Sequence, residues 1–331
     1  MEKGEKKLLV PILLFALGFV MLIKGGDWFV DGSVGIAHRF NLPELLIGAT
    51  VVSVGTTLPE VMVSCQAALQ GNSGISYGNA IGSIICNVSL IAAITIAVKP
   101  GPVNTRSLRI PAGFFTVSAV IYLAIALSTG RFERWQGFLL LAVFLTYMIV
   151  STLHMKNHPE EADPAENEKE TANDSPLIKD ILLLVIGAAV IAVGANLLVN
   201  NGTLIAQWLG VPDSVIGLTM IALGTSLPEL ITAITSLMKG HGALSLGNII
   251  GANLFNIVLV SGAAISLSPF SIPSEKTIAG INSSFVVDLP VMVLVMVILC
   301  VPTFIKGRLS RWQGILLLCI YAAFTAYQFL F

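Results

Sequence analysis

The stretch "LPELLIGATVVSVGTTLPE" (42–60) returns as "VPDSVIGLTMIALGTSLPE" (211–229), and that repetition decides how the chain is built. A second pair follows at the same distance, "GNAIGSIICN" (78–87) and "GNIIGANLFN" (247–256). Every match falls at an offset of 169 without a gap, and 23 of the 76 positions paired between 25–100 and 194–269 are identical. "RWQG" also recurs, at 134–137 and 311–314, but at an offset of 177. The later loops of the second copy are therefore about eight residues longer.

Each copy sets a proline and a glutamate inside a long apolar run. The 331 residues are 55% hydrophobic and only 11% charged, with a mean hydropathy of +0.87. A soluble chain carries about 25% charged residues, so this composition belongs to a membrane protein. A net charge of −1 gives the chain as a whole no basic surface for nucleic acid.

A hydrocarbon core about 30 Å thick needs about 20 apolar residues per helix. Ten runs qualify: 8–36, 42–70, 74–98, 109–129 and 135–154, then 177–207, 212–239, 243–267, 284–305 and 312–330. The sequence therefore predicts an all-α polytopic membrane protein of ten transmembrane helices in two repeats of five. Five is odd, so the second repeat enters the membrane inverted. The halves are expected at 1–154 and 177–331. Between them, 155–176 holds seven acids, two lysines and three prolines, a polar linker with no capacity to bury a core.

The opening "MEKGEKKLLVPILLFALGFVMLIKGG" (1–26) has a charged start and an apolar run. No small-x-small cleavage site follows, so it is expected to be the first span. With the N-terminus outside, inner loops hold eleven lysines and arginines and outer segments six, although three of the six lie at the N-terminus. The bias favours that orientation and a cytoplasmic linker, in a multi-pass plasma (inner) membrane protein. Histidines 38, 154, 158 and 241 show no ligand spacing and fall near helix ends. Cysteines 65, 86, 300 and 319 lie in apolar runs and read as small buried residues. Asp27 and Asp31, whose repeat mates are Asn196 and Asn200, suit a structural or water-facing role near a membrane boundary. Asp288 reads as a cap before Pro290.

Proline removes a backbone N–H and clashes with the carbonyl four residues earlier. Pro59 should disturb the helix around Gly55 and Thr56, and Pro228 around Gly224 and Thr225. Carbonyls freed in lipid cost several kcal/mol unless satisfied, and a cation satisfies them. Glu60 shares a helix face with Thr56 and Thr57, and Glu229 with Thr225 and Ser226. In the next span Ser83 and Asn87 share a face, while the second copy offers Asn256 with Ala252 at the serine position. These are hard oxygen donors, suited to Na+ and Ca2+ rather than zinc or copper. Two glutamates give −2, which one Ca2+ neutralises and two or three Na+ bring to zero or +1. Binding one set or the other gives exchange. For the amides and hydroxyls, interhelical hydrogen bonding is the competing explanation. The glycines at 55, 78, 82, 224, 247 and 251 suit close helix approach.

The paired "GTTLPE…GNAIGSIICN" and "GTSLPE…GNIIGANLFN" resemble the two α-repeats of the cation/calcium exchanger superfamily, in its prokaryotic sodium/calcium antiporter branch. The resemblance covers essentially the whole chain. It implies alternating access, with helices one and six sliding as a pair across the other eight. It implies ion ligands at Glu60, Glu229, Thr56, Thr57, Thr225, Ser226, Ser83, Asn87 and Asn256, with backbone carbonyls near Ser53 and Ala222. Ca2+ and Na+ would be cargo, with no cofactor and no obligate protein partner. Two departures matter: Ala252 lacks a hydroxyl ligand, and Asn256 stands where some members carry an aspartate linked to potassium dependence. A cation/H+ antiporter is the alternative, although proton-coupled relatives show "GNxxE" where this chain reads "GNAIG" and "GNIIG". An intramembrane protease would want aspartates in a GxGD-like setting. A channel would show no saturable counterflow.

Overall fold

The computed structural model describes residues 2–40, 42–157, 176–209, 222–273, 277–278 and 280–330. The chain is an all-α polytopic membrane protein. Its helices are α1 (Glu2–Arg39), α2 (Glu44–Leu69), α3 (Ser73–Val98), α4 (Thr105–Thr129) and α5 (Arg134–Asn157), then α6 (Leu177–Trp208), α7 (Leu227–Lys239), α8 (Gly242–Leu267), α9 (Ser284–Lys306) and α10 (Arg311–Leu330). Among the described residues eight are long and apolar enough to cross a membrane. The other two are α7, where 212–221 of the expected span lie outside the described residues, and α10, where the side chains of 329 and 330 lie outside them. Most of the expected linker, 158–175, also lies outside them, as does His158.

Helix ends follow from local chemistry. The Asn72 side chain accepts from Ile75 N at 3.1 Å, and Asn104 from Arg106 N at 3.1 Å. The recurring "RWQG" is a capping device. Gln136 Oε1 accepts from Glu133 N at 2.7 Å and Gln313 Oε1 from Ser310 N at 2.8 Å, the reach-back of a capping box. The glycine of each motif then lets helices touch. A Cβ on Gly137 would stand 2.5 Å from Ser266 N on α8, and one on Gly314 2.6 Å from Ala93 O on α3.

Loops pair crosswise between the halves. The α3–α4 loop meets the α9–α10 loop through Val103 N to Gly307 O (3.0 Å) and Leu309 N to Gly101 O (2.8 Å). Its image under the repeat pairs β1 (Arg131–Phe132) with β2 (Phe270–Ser271), antiparallel.

Two cores result. The larger joins α3, α4, α5, α8 and α9 around Ile84, Val88, Tyr122, Tyr147, Phe255, Met292 and Val295. The smaller joins α1 and α6 to the start of α2 through Leu22, Phe29, Val30, Ile191, Leu46 and Val52. Helix α1 packs on α6 far more than on anything else. A stripe of glycines allows this. A Cβ on Gly18 would lie 2.8 Å from Gly194 O, and one on Gly187 2.9 Å from Gly25 O. Those two contacts are repeat images of each other, since 18 and 187, and 25 and 194, are mates at the offset of 169.

Two sequence expectations need correction. Helix α2 does not break at Pro59: an α-helix runs unbroken over Ser53–Leu69. The irregularity sits upstream as a π-helical turn at Gly48–Val52. Its carbonyls are satisfied by protein, with Ser53 Oγ donating to Gly48 O at 2.8 Å and Tyr147 Oη to Ala49 O at 2.7 Å. One missing N–H is thus tolerated where neighbouring helices hold the segment in place. In the second half the interruption does occur, as a turn at Ser226 between Ala222–Thr225 and α7, with Pro228 in the first turn of α7. Asp288, read as a cap, is helical and makes no cap bond, because a π-turn at Ser284–Asp288 already precedes it. It accepts from Gln328 Nε2 at 3.0 Å instead, tying α9 to α10, while Asn282 Oδ1 accepts from Ser284 N at 2.9 Å.

Candidate ion site

Glu60 lies one residue beyond Pro59 on α2, and Glu229 one beyond Pro228 on α7. Both are 0% exposed. None of their four carboxylate oxygens has a hydrogen-bond partner among the described residues. The two carboxyl groups are near enough to interact electrostatically. A charge at the bilayer centre costs about 2.5–3.5 kcal/mol on insertion scales, so a buried, unpaired acid pair demands a compensating positive charge.

Other buried neutral oxygens lie on the same helices and on helices packed against them. Asn87 and Asn256 are fully buried, and neither amide has a partner among the described residues. Each begins a π-helical segment, Asn87–Ala92 in α3 and Asn256–Ser261 in α8. Such turns recur at functional sites because the extra residue redirects one side chain. The segments pack crosswise, that of Asn256 on α2 and that of Asn87 on α7. Thr57 and Ser226, repeat mates, are buried, and their hydroxyls have no hydrogen-bond partner among the described residues. Ser83 is buried, and its mate Ala252 is fully buried.

The remaining predicted polar side chains have protein partners. Thr56 lies beside the Glu229 carboxyl, and its hydroxyl reaches Asn248 Oδ1 at 3.2 Å. Ser53 Oγ lies 2.9 Å from Asn248 O. Thr225 is half-buried and its hydroxyl reaches Asn79 Oδ1 at 3.3 Å. Ala222 opens the short helix before Ser226. The glycines separate as expected for close approach in four cases. Gly247 and Gly251 abut α2, Gly55 abuts Phe29 of α1, and Gly224 abuts Val199 of α6.

Three features escaped the sequence. Asn79 and Asn248 were the first; they sit in the "GN" of both motifs, and that repetition was the available signal. The third is Glu44, 3% exposed, which approaches His241 Nδ1 at 2.8 Å and His38 Nε2 at 3.7 Å. Asp27 and Asp31 do have a structural role: Lys239 Nζ on α7 lies 2.7 Å from Asp31 and 3.5 Å from Asp27.

Inverted five-helix repeats whose matching motifs bring two buried acids together define a class, the membrane cation exchangers. The chain belongs to the sodium/calcium exchanger protein family, whose model matches residues 10–153 and 179–330. It is 32% identical over 356 aligned positions to the sodium/calcium exchanger MaX1 of Methanosarcina acetivorans, covering 97% of this chain and 99% of that protein. It is 34% identical over 265 positions to the inner membrane protein YrbG of Escherichia coli, covering 79% and 81%. Among solved structures, the sodium-calcium exchanger NCX_Mj soaked with Na+ and Sr2+ matches with a TM-score of 0.78 at 31% identity, over 96% of this chain and 99% of that one.

Proposed function

We propose that the chain is a secondary antiporter that exchanges Ca2+ for Na+ by alternating access. The observation that carries this is the pair Glu60 and Glu229, fully buried, mutually repelling and without hydrogen-bond partners among the described residues. Glu60, Glu229, Asn87, Asn256, Thr56, Thr57, Thr225, Ser226 and Ser83 supply the oxygens, with the backbone carbonyls near Ser53 and Ala222. Calcium takes six to eight oxygens, a number this set can meet. The −2 charge accepts either one Ca2+ or a set of Na+, so the ions compete. An empty site left at −2 is costly in the membrane, which opposes movement without cargo. The family resemblance links an acid at this position to potassium dependence, so the neutral Asn256 supports exchange without K+.

In this reading residues 1–154 and 177–331 are the two repeats, 155–176 is a cytoplasmic tether, and the N-terminus faces outside. The E. coli relative's description as an inner membrane protein supports a plasma-membrane location.

The test is 45Ca2+ uptake by Na+-loaded proteoliposomes diluted into Na+-free buffer. Uptake should require the Na+ gradient and be lost in Glu60→Gln and in Glu229→Gln. Uptake that follows a pH gradient and ignores Na+ would reassign the glutamates to proton coupling.

A further inference from the structure

A hydroxyl has one proton and two lone pairs. To ligate a cation it must turn a lone pair inward and place its proton on an acceptor elsewhere. For two of the four hydroxyls expected to ligate the ion, the structure shows that acceptor. Thr56 Oγ donates to Asn248 Oδ1 at 3.2 Å, and Thr225 Oγ to Asn79 Oδ1 at 3.3 Å. Both asparagines are the "GN" residue of their repeat, mates at the offset of 169, and each stands eight residues before the site asparagine of its own helix.

The pairing crosses the molecule. Asn79, on α3 of the first repeat, holds the threonine of the second. Asn248, on α8 of the second repeat, holds the threonine of the first. The amide of Asn79 has a defined orientation, because its Nδ2 donates to Glu60 O at 3.1 Å and to Ser64 Oγ at 2.9 Å. Only Oδ1 is left for Thr225. Asn248 is fully buried, its Oδ1 lies 3.2 Å from Ser53 Oγ as well, and its Nδ2 has no partner among the described residues.

We propose that Asn79 and Asn248 are positioning residues for ion binding. Each takes the proton of the opposite repeat's threonine and so turns that hydroxyl's lone pairs toward the glutamate pair. The proposal rests on the reading of that pair as the ion site. Partners that orient a metal's ligands are typically worth 10–100-fold in affinity or activity.

The two asparagines differ in one testable way. Asn248 uses only its oxygen on side-chain partners, so an aspartate can replace it. Asn79 uses both ends, so an aspartate cannot. The experiment measures the Na+ half-saturation of Ca2+ exchange in proteoliposomes, with maximal rate, and the Na+-dependent rise in melting temperature of the purified full-length protein. Asn248→Ala should raise the Na+ half-saturation about tenfold or more and shrink the Na+-induced shift in melting temperature. Asn248→Asp should bind Na+ no more weakly than wild type. Asn79→Ala and Asn79→Asp should both weaken it. A purely structural role would lower the melting temperature or the maximal rate of the alanine variants and leave half-saturation unmoved, which overturns the proposal. Should Asn248→Ala fail to fold, Asn248→Asp decides alone: a tenfold rise in its half-saturation overturns the proposal, and wild-type binding supports it. Glu60→Gln and Glu229→Gln run alongside. If they keep Na+-driven uptake, the ion-site reading itself falls. If they lose it while both asparagine-to-alanine variants stay within twofold of wild type, the positioning role alone falls.

Discussion

Ala252 is the position where the second repeat withholds what the first supplies. It is fully buried on α8, one turn before Asn256, and its mate is Ser83. Ala252→Ser adds one oxygen with little added volume. The expected result is a lower Na+ half-saturation in the exchange assay, by about tenfold, the lower end of what a change in the ligand surroundings is worth. The acids were legible in the sequence because glutamate in an apolar run is costly and this one occurs twice. The two "GN" asparagines were not, because an amide next to glycine reads equally well as a helix contact. Their meaning depends on which hydroxyl stands opposite, and Thr56 and Asn248 are 192 residues apart. Glu44 was hidden similarly, since its histidines come from α1 and from the start of α8.

At the level of single elements, the π-turns were the least legible feature. No residue pattern marks one extra residue in a helical turn, and Pro59 pointed to the wrong place. Most helices were read within a few residues, because span length is set by the bilayer; α1 begins earlier than expected, at Glu2, and the seventh span is interrupted at Ser226. The glycine stripe gives a sharp prediction. A Cβ on Gly187 would stand 2.5 Å from Phe29 N on α1, a backbone atom that cannot step aside. Gly187→Leu should separate α1 from α6 and lower the melting temperature by several degrees or prevent folding, as thermal unfolding in detergent will show. The tie between Lys239 and Asp27 and Asp31 calls for a milder outcome. It joins α1 to α7 through partly exposed groups, and such pairs are worth about 0.2–1 kcal/mol. Lys239→Ala should change maximal exchange rate by no more than about fivefold and leave Na+ half-saturation unchanged, since the pair lies outside the glutamate cluster.

For the molecule as a whole, orientation is open to direct measurement. In a background with the native cysteines replaced, Glu133→Cys should react with a membrane-impermeant maleimide from outside intact cells. Arg308→Cys should react only after the membrane is opened. The reverse pattern would turn the protein over. Charge movement is a separate matter: a 3:1 exchange would carry one charge, worth about 2.3 kcal/mol per 100 mV. Ca2+ uptake by Na+-loaded vesicles would then speed up when the interior is held positive.

The contact of α1 with α6 has a consequence for how the protein is made. Gly18 meets Gly194 as Gly25 meets Gly187, so the stripe is matched by its own inverted copy. Its partner comes five insertions later in the order of synthesis. Until α6 enters the bilayer from the opposite side, α1 has only lipid against its glycines. A first helix this apolar, with a mean hydropathy of 2.2 in its best window, can wait in that solvent without unfolding. Biogenesis therefore closes the molecule late, when the sixth helix arrives and the first finally acquires its neighbour.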